Sequence, residues 1–132
     1  MVKLFVPSKA PSHRQERVAE ELRFLICKEL QKDNLPVERD DEDVLIKPNS
    51  PITITHVTIS PDLRHAQIGI MPLGGIDQDT AVKYMKANAW FLRTSIAKQL
   101  KTRVTPELRF YLDAQFDNAA KIDAIIDNIT KS

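Results

Sequence analysis

Apolar residues recur at helical spacing in three stretches of this 132-residue chain and run at strand spacing in three others. Val18, Leu22, Leu25, Ile26 and Leu30 form the first stripe, one face of an amphipathic helix. Ser12 and Gln15 precede it as a capping box, in which each side chain accepts from the other residue's backbone N–H. That helix should stop near Asp33 and Asn34, two residues ahead of Pro36. Ile52–Ile59 is rich in β-branched residues and reads as a strand. Its apolar phase moves from Ile52 and Ile54 to Val57 and Ile59, which predicts a β-bulge near Thr55-His56. Ser60-Pro61-Asp62 then supplies a turn. In the next strand Ala66, Ile68 and Ile70 alternate with His65, Gln67 and Gly69, the latter set expected on a polar face, and Pro72 with Gly74-Gly75 ends it.

A helix pair follows, capped by Asp77 or Asp79, with Val82, Met85 and Ala89 on its first apolar face and Leu92, Ile96 and Leu100 on its second. A bend is expected near Asn88-Ala89, with Trp90 either filling it or standing at the surface. The second helix should end in Lys and Arg before Pro106 stops it. Leu108, Phe110 and Leu112 alternate with Arg109 and Tyr111 as a last strand, and Ile122, Ile125, Ile126 and Ile129 predict a closing helix over 117–129. A crossover through two helices makes the second and third strands parallel neighbours. The expected class is therefore α+β: helix, strand, strand, helix, helix, strand and a C-terminal helix, with a three-stranded mixed sheet packed on helices. Leu92, Ile96, Leu100, Leu108, Phe110, Ile68 and Ile70 should share its core.

At this length one domain over 1–132 is expected, with 1–11 as a flexible N-terminus. Residues 34–51 lack periodicity, hold Pro36, Pro48 and Pro51, and read as a long acidic loop, expected to be mobile. The net charge is only +1, but it is unevenly placed. Residues 77–112 carry seven Lys and Arg against three acids, a local +4, whereas 34–51 carries two against five, a local −3. Arg93, Lys98, Lys101 and Arg103 fall off the apolar stripe toward the end of the second paired helix, and Lys86 lies on the first. Cations so placed, beyond the one or two that a helix dipole favours, suit a polyanion, and these five are the candidate RNA-binding residues. The mixed charges of the first helix, including Glu29, read instead as a solvated face.

Three glycines, Gly69, Gly74 and Gly75, leave no place for a P-loop or a dinucleotide fingerprint. His56 and His65 lack a third ligand at zinc spacing, and the glycine-free 34–51 loop cannot be a calcium loop of the usual kind. Neither Ser60 nor Ser95 has a nucleophile-elbow context. No catalytic residues, metal, cofactor or small-molecule substrate are therefore expected. Cys27, the single cysteine, is read as a packing residue in a reducing compartment. No apolar run reaches the roughly 20 residues that span a bilayer, and the first residues lack a signal-peptide hydrophobic region, so a cytoplasmic protein without membrane contact is expected.

The helix–strand–strand–helix–helix–strand order resembles a type II KH domain, an RNA-binding module. More narrowly, Arg17–Leu22, Ile59-Ser-Pro-Asp-Leu-Arg-His-Ala66, Phe91-Leu92-Arg93 and Val104-Thr-Pro-Glu-Leu-Arg-Phe110 are similar to the ribosome-binding factor A family, from about Arg14 to Ile129. The resemblance implies a KH-like fold and a monomeric, non-enzymatic assembly factor. Such a factor binds the free small ribosomal subunit and assists late maturation and processing of its rRNA. The family has a kinked Ala-x-Gly between the paired helices; aligned on Phe91-Leu92-Arg93, this chain has Asn88, Ala89 and Trp90 there. The competing expectation is a small protein-binding adaptor that uses Trp90 or the acidic loop without touching RNA.

Overall fold

A computed structural model describes residues 12–113. Its elements are α1 (His13–Gln31), β1 (Ile52–Ile59), β2 (His65–Pro72), α2 (Gln78–Ala87), α3 (Ala89–Ala97) and β3 (Glu107–Leu112), with a single 3-10 turn at Leu73–Gly75. The expected KH-like α+β order is present. The expected N-terminus over 1–11 and closing helix over 117–129 lie outside the described residues.

The sheet has the order β1-β2-β3, antiparallel between β1 and β2 and parallel between β2 and β3. The register shifts between Ile54 and His56, so the bulge falls where the apolar phase placed it. It aims Thr55 across the central strand, where its hydroxyl donates to the Asp113 carboxylate at 2.7 Å. Gly69 makes this crossing possible, because a Cβ there would lie 2.5 Å from Thr55 Oγ1 and 3.0 Å from the Tyr111 hydroxyl. As the middle strand, β2 is covered more completely than expected, and Gln67 is buried rather than lying on an open polar face.

On one side of the sheet, Ile54, Ile59, Ala66, Ile68, Ile70, Leu108 and Phe110 meet Leu22 and Ile26 of α1, Met85 of α2, and Leu92 and Ile96 of α3. All seven residues expected in the core are buried, Leu100 among them. Cys27 is half-buried against this core. The Ser12/Gln15 capping box starts α1 with both reciprocal bonds in place. The Gln15 amide also donates to Ile59 O at 2.9 Å, and Arg23 donates to Ile54 O at 3.3 Å. Those two side chains occupy carbonyls of the edge strand β1, which would otherwise invite pairing with another chain.

Three local expectations are corrected. Asp77, at the N-cap of α2, makes no side-chain cap bond and has a left-handed backbone (φ 60°); Gln78 instead reaches back to Gly75 O. α3 ends at Ala97, with the N–H groups of Gln99 and Leu100 sharing Ile96 O as its last turn closes. Leu100 is thus buried from beyond the helix, and Lys101 and Arg103 lie past its end.

The third correction concerns 34–51, which is anchored rather than loose. Leu35 and Ile46 enter the core, Arg39 and Leu45 form an antiparallel bridge, and Asp40 Oδ1 accepts from the N–H groups of Glu42 and Val44. Lys47 reaches Asp33 at 3.0 Å and Glu38 at 3.4 Å. The Asp33 contact is foremost in raising the Lys47 pKa above the usual lysine range. Lys47 therefore offsets part of this segment's negative charge.

Candidate nucleic-acid interface

The five candidate cations occupy the α2–α3 unit and the segment that follows it. Lys86 is exposed in the last turn of α2, Lys98 is the exposed C-cap of α3, and Lys101 and Arg103 are exposed in the segment leading to β3. Lys98, Lys101 and Arg103 therefore form one short basic stretch, whereas Lys86 lies on the other side of the bend. Only Lys98 is close enough to the end of α3 to complement its dipole.

Arg93 behaves differently from the other four. It is half-buried, and its Nε–H and Nη2–H groups donate to Pro106 O and Thr105 O at 3.3 and 3.1 Å. Two of its five donors are thus committed to fixing the segment ahead of β3 against α3. The same guanidinium lies 5.8 Å from the centroid of the Trp90 ring, within cation–π range. Trp90 is 73% exposed, so it does not fill the bend.

The opposite side of the basic stretch is held by α1. Glu29 is 2% exposed, and its carboxylate accepts from Lys32 Nζ at 3.1 Å, Ser95 Oγ at 3.0 Å and Gln99 Nε2 at 3.4 Å. Burial pushes its pKa up, but these bonds and the Lys32 charge outweigh burial and hold it below the ordinary carboxylate value. The expectation that Glu29 belongs to a solvated face is therefore wrong. Its spacing from Leu22 and Ile26 puts it on the core stripe, and the polar Ser95 and Gln99 are its partners across the interface. Glu21 adds a second tie by accepting the Lys101 backbone N–H at 3.2 Å, which also places an acid among the cations.

The bend itself is built on Asn88. Its side chain is fully buried. Oδ1 accepts from Val37 N at 2.9 Å, and Nδ2 donates to Val37 O at 2.8 Å and Tyr84 O at 2.9 Å. The amide pairs with the Val37 backbone as a neighbouring strand would, joining the helix pair to the 34–51 segment. The expected bend at Asn88-Ala89 is present, with an asparagine clamp where the family resemblance implies a small-residue kink. Asn88 lies three residues after Met85 and four before Leu92, a core position by spacing. That periodicity is the available signal for it.

The Ser60–Ala66 segment that carries the resemblance is a tight turn. Leu63 is buried with φ 61°, an uncommon conformation for a residue with a side chain. Ser60 Oγ donates to Asp62 Oδ1, which also accepts from Arg64 N, and Ser60 Oγ accepts from His65 N. The Ser60 bond is foremost in holding the Asp62 pKa below the usual aspartate range. Arg64 O then receives Glu107 N, which sets the start of β3. These bonds fix the register of β3 against β2. His65 Nδ1 lies 3.5 Å from Glu107, His56 is exposed elsewhere on β1, and no cluster suited to a metal occurs among the described residues. Nor is any described helix long and apolar enough to cross a membrane.

Comparison with known proteins agrees with this geometry. A ribosome-binding factor A from Paramagnetospirillum magneticum is 39% identical over 121 residues, covering 92% of this chain and 80% of that protein. One from Azorhizobium caulinodans is 38% identical over 116 residues, covering 88% and 75%. Among solved structures, a candidate ribosome-binding factor A from Thermotoga maritima superposes with a TM-score of 0.58 at 30% identity, covering 77% of this chain and 89% of that one. Ribosome-binding factor A from Thermus thermophilus, at 15% identity and a TM-score of 0.57 over 74% and 94% of the two chains, shares the fold. The sequence model of ribosome-binding factor A matches residues 14–126, and the chain belongs to that family.

Proposed function

We propose that this protein binds the free small ribosomal subunit through its rRNA and assists late rRNA maturation and processing. In this reading it acts as a cytoplasmic monomer and performs no chemistry of its own. Membership of the ribosome-binding factor A family carries the reading. A homology model of Thermus thermophilus ribosome-binding factor A, of the same fold, has been fitted into a cryo-EM map of a 30S complex of that protein, which supports the choice of subunit. The exposed cations Lys98, Lys101 and Arg103 supply the phosphate contacts, and Lys86 extends them across the bend. Arg93 contributes mainly by fixing Thr105 and Pro106, just beyond these cations.

The test is co-sedimentation with purified small subunits across a salt series. Lys98→Glu with Lys101→Glu should lower the melting temperature by only a few degrees, because both side chains are exposed and a charge at a helix end is worth about 0.3–1 kcal/mol. Binding should weaken, and the slope of log K against log salt should flatten by roughly one unit for each phosphate that is no longer neutralised. Wild-type binding by the double variant at every salt concentration would make the stretch ordinary surface.

A further inference from the structure

We propose that Trp90 is a stacking platform for an unpaired nucleobase of RNA. This assignment rests on the RNA-binding reading above and names the chemistry of one subsite within it. Single exposed apolar side chains are common on proteins and need no partner. Trp90 differs in how it is mounted and in what surrounds it.

The mounting ties down the backbone that carries the ring. Just ahead of the ring in the chain, Asn88 is locked to Val37 and Tyr84 by three hydrogen bonds. The Trp90 carbonyl accepts the Thr94 hydroxyl at 2.9 Å. Arg93, itself fixed on the carbonyls of Thr105 and Pro106, places its guanidinium 5.8 Å from the ring centroid. The backbone beneath the ring is thus fixed before any partner arrives, which lowers the entropic cost of stacking.

The surroundings favour a base over an apolar protein pocket. Across the bend from Trp90 stand Lys86 and Ala87, and on α3 Thr94, Ala97 and Lys98 follow it at helical spacing, all exposed. Small side chains beside the ring let a planar base approach it. Lysines at both ends of the row suit the phosphates that flank such a base. Single-stranded nucleic acids are recognised by this pairing of aromatic stacking with backbone-tracking cations. Anchors of protein interfaces sit instead amid apolar side chains that exclude water, and this row offers no second large apolar group.

Trp90 is the only tryptophan of the chain, so intrinsic fluorescence reports on it directly. The full-length protein is titrated with a single-stranded RNA oligomer free of self-pairing and with the matching duplex. Stacking should quench the emission with the single strand and not with the duplex. Trp90→Leu should weaken single-strand binding about tenfold, the lower part of the range for losing one base–aromatic stack, without changing the salt slope. Trp90→Phe, which keeps a ring, should recover most of that loss. Unchanged melting of both variants shows that the effect is not one of folding. Absence of quenching, or wild-type RNA affinity of Trp90→Leu, overturns the assignment. So does a Trp90→Leu defect confined to whole subunits with oligomer binding intact, which marks a protein contact instead. If Lys98→Glu with Lys101→Glu loses subunit binding while Trp90→Leu does not, stacking fails and the RNA-binding reading stands. If neither variant loses binding, both fail.

Discussion

Asn88 offers a sharp perturbation, because one fully buried side chain joins the bend between α2 and α3 to the 34–51 segment. Asn88→Ala removes all three of its side-chain bonds. Tyr84 O keeps the Asn88 backbone N–H at 3.2 Å, so the main loss is the reciprocal pair with Val37. Each such bond contributes about 1 kcal/mol net, and a buried polar group left unpaired costs about 1–3 kcal/mol. Val37 is only half-buried, so water can replace part of its pairing. The expected loss is therefore about 2–4 kcal/mol, a large share of the 5–15 kcal/mol typical of a domain. Chemical denaturation measures it, and amide exchange at Val37 should accelerate beyond the global change. Asn88→Asp sharpens the test: near neutral pH its carboxylate would face the carbonyls of Val37 and Tyr84 with no proton to donate. Its folded-state pKa should rise above the aspartate reference of about 3.9. A raised pKa means stability is retained below the unfolded value and lost as pH rises through the folded one. The deficit of Asn88→Asp relative to wild type should thus shrink on acidification, while that of Asn88→Ala stays nearly level. A loss below about 1 kcal/mol for Asn88→Ala, or a pH-independent deficit for Asn88→Asp, would refute the clamp.

Two other sites give independent expectations. Gly69→Ala drives a methyl to within 2.5 Å of Thr55 Oγ1 and should cost about 1–3 kcal/mol, as overpacking does. Thr55→Ala removes the obstructing hydroxyl, so denaturation of the double variant should show a loss well below the sum of the two single losses. Glu29 has a depressed pKa, so its ionisation stabilises the fold above its unfolded value and is lost as pH falls through the still lower folded one. Glu29→Gln should accordingly destabilise at neutral pH and flatten the decline in stability below about pH 4.5, the reference carboxylate value; parallel acid limbs for the two proteins would contradict this.

Wherever side-chain periodicity meets a simple apolar environment, the sequence is sufficient. The α1 stripe, the phase shift at Thr55-His56 and the alternation in β3 each lead to the observed element, because burial of one face is what sets helix phase and strand register. The misreadings are polar residues at apolar positions. Glu29 sits where spacing calls for a hydrophobe, and only the packing of α3 supplies Ser95 and Gln99 from 66 and 70 residues away. Val37 meets Asn88 across 51 residues, a pairing no local pattern encodes. The same limit explains why 34–51 reads as mobile: Leu35 and Ile46 are too far apart to form a periodic signal, yet both reach the core. Among the candidate cations, Arg93 groups with the lysines by sequence because it lies off the stripe, but Thr105 and Pro106 claim it by tertiary contact.

These long-range polar contacts share one consequence for the binding surface. Glu29 and Glu21 tie α1 to the far end of α3, Asn88 ties its near end to Val37, and Arg93 ties its middle to the approach of β3. A nine-residue helix is too short to be stable alone, so its order depends on these attachments together with Leu92 and Ile96. The contacts leave Lys86, Trp90 and Lys98 exposed beside a helix tied down at both ends and in its middle. On the proposed reading, the polar core residues are where folding and binding meet. Weakening Asn88 or Glu29 should loosen α3, and with it the exposed side chains that α3 carries, although neither residue is itself exposed to a ligand.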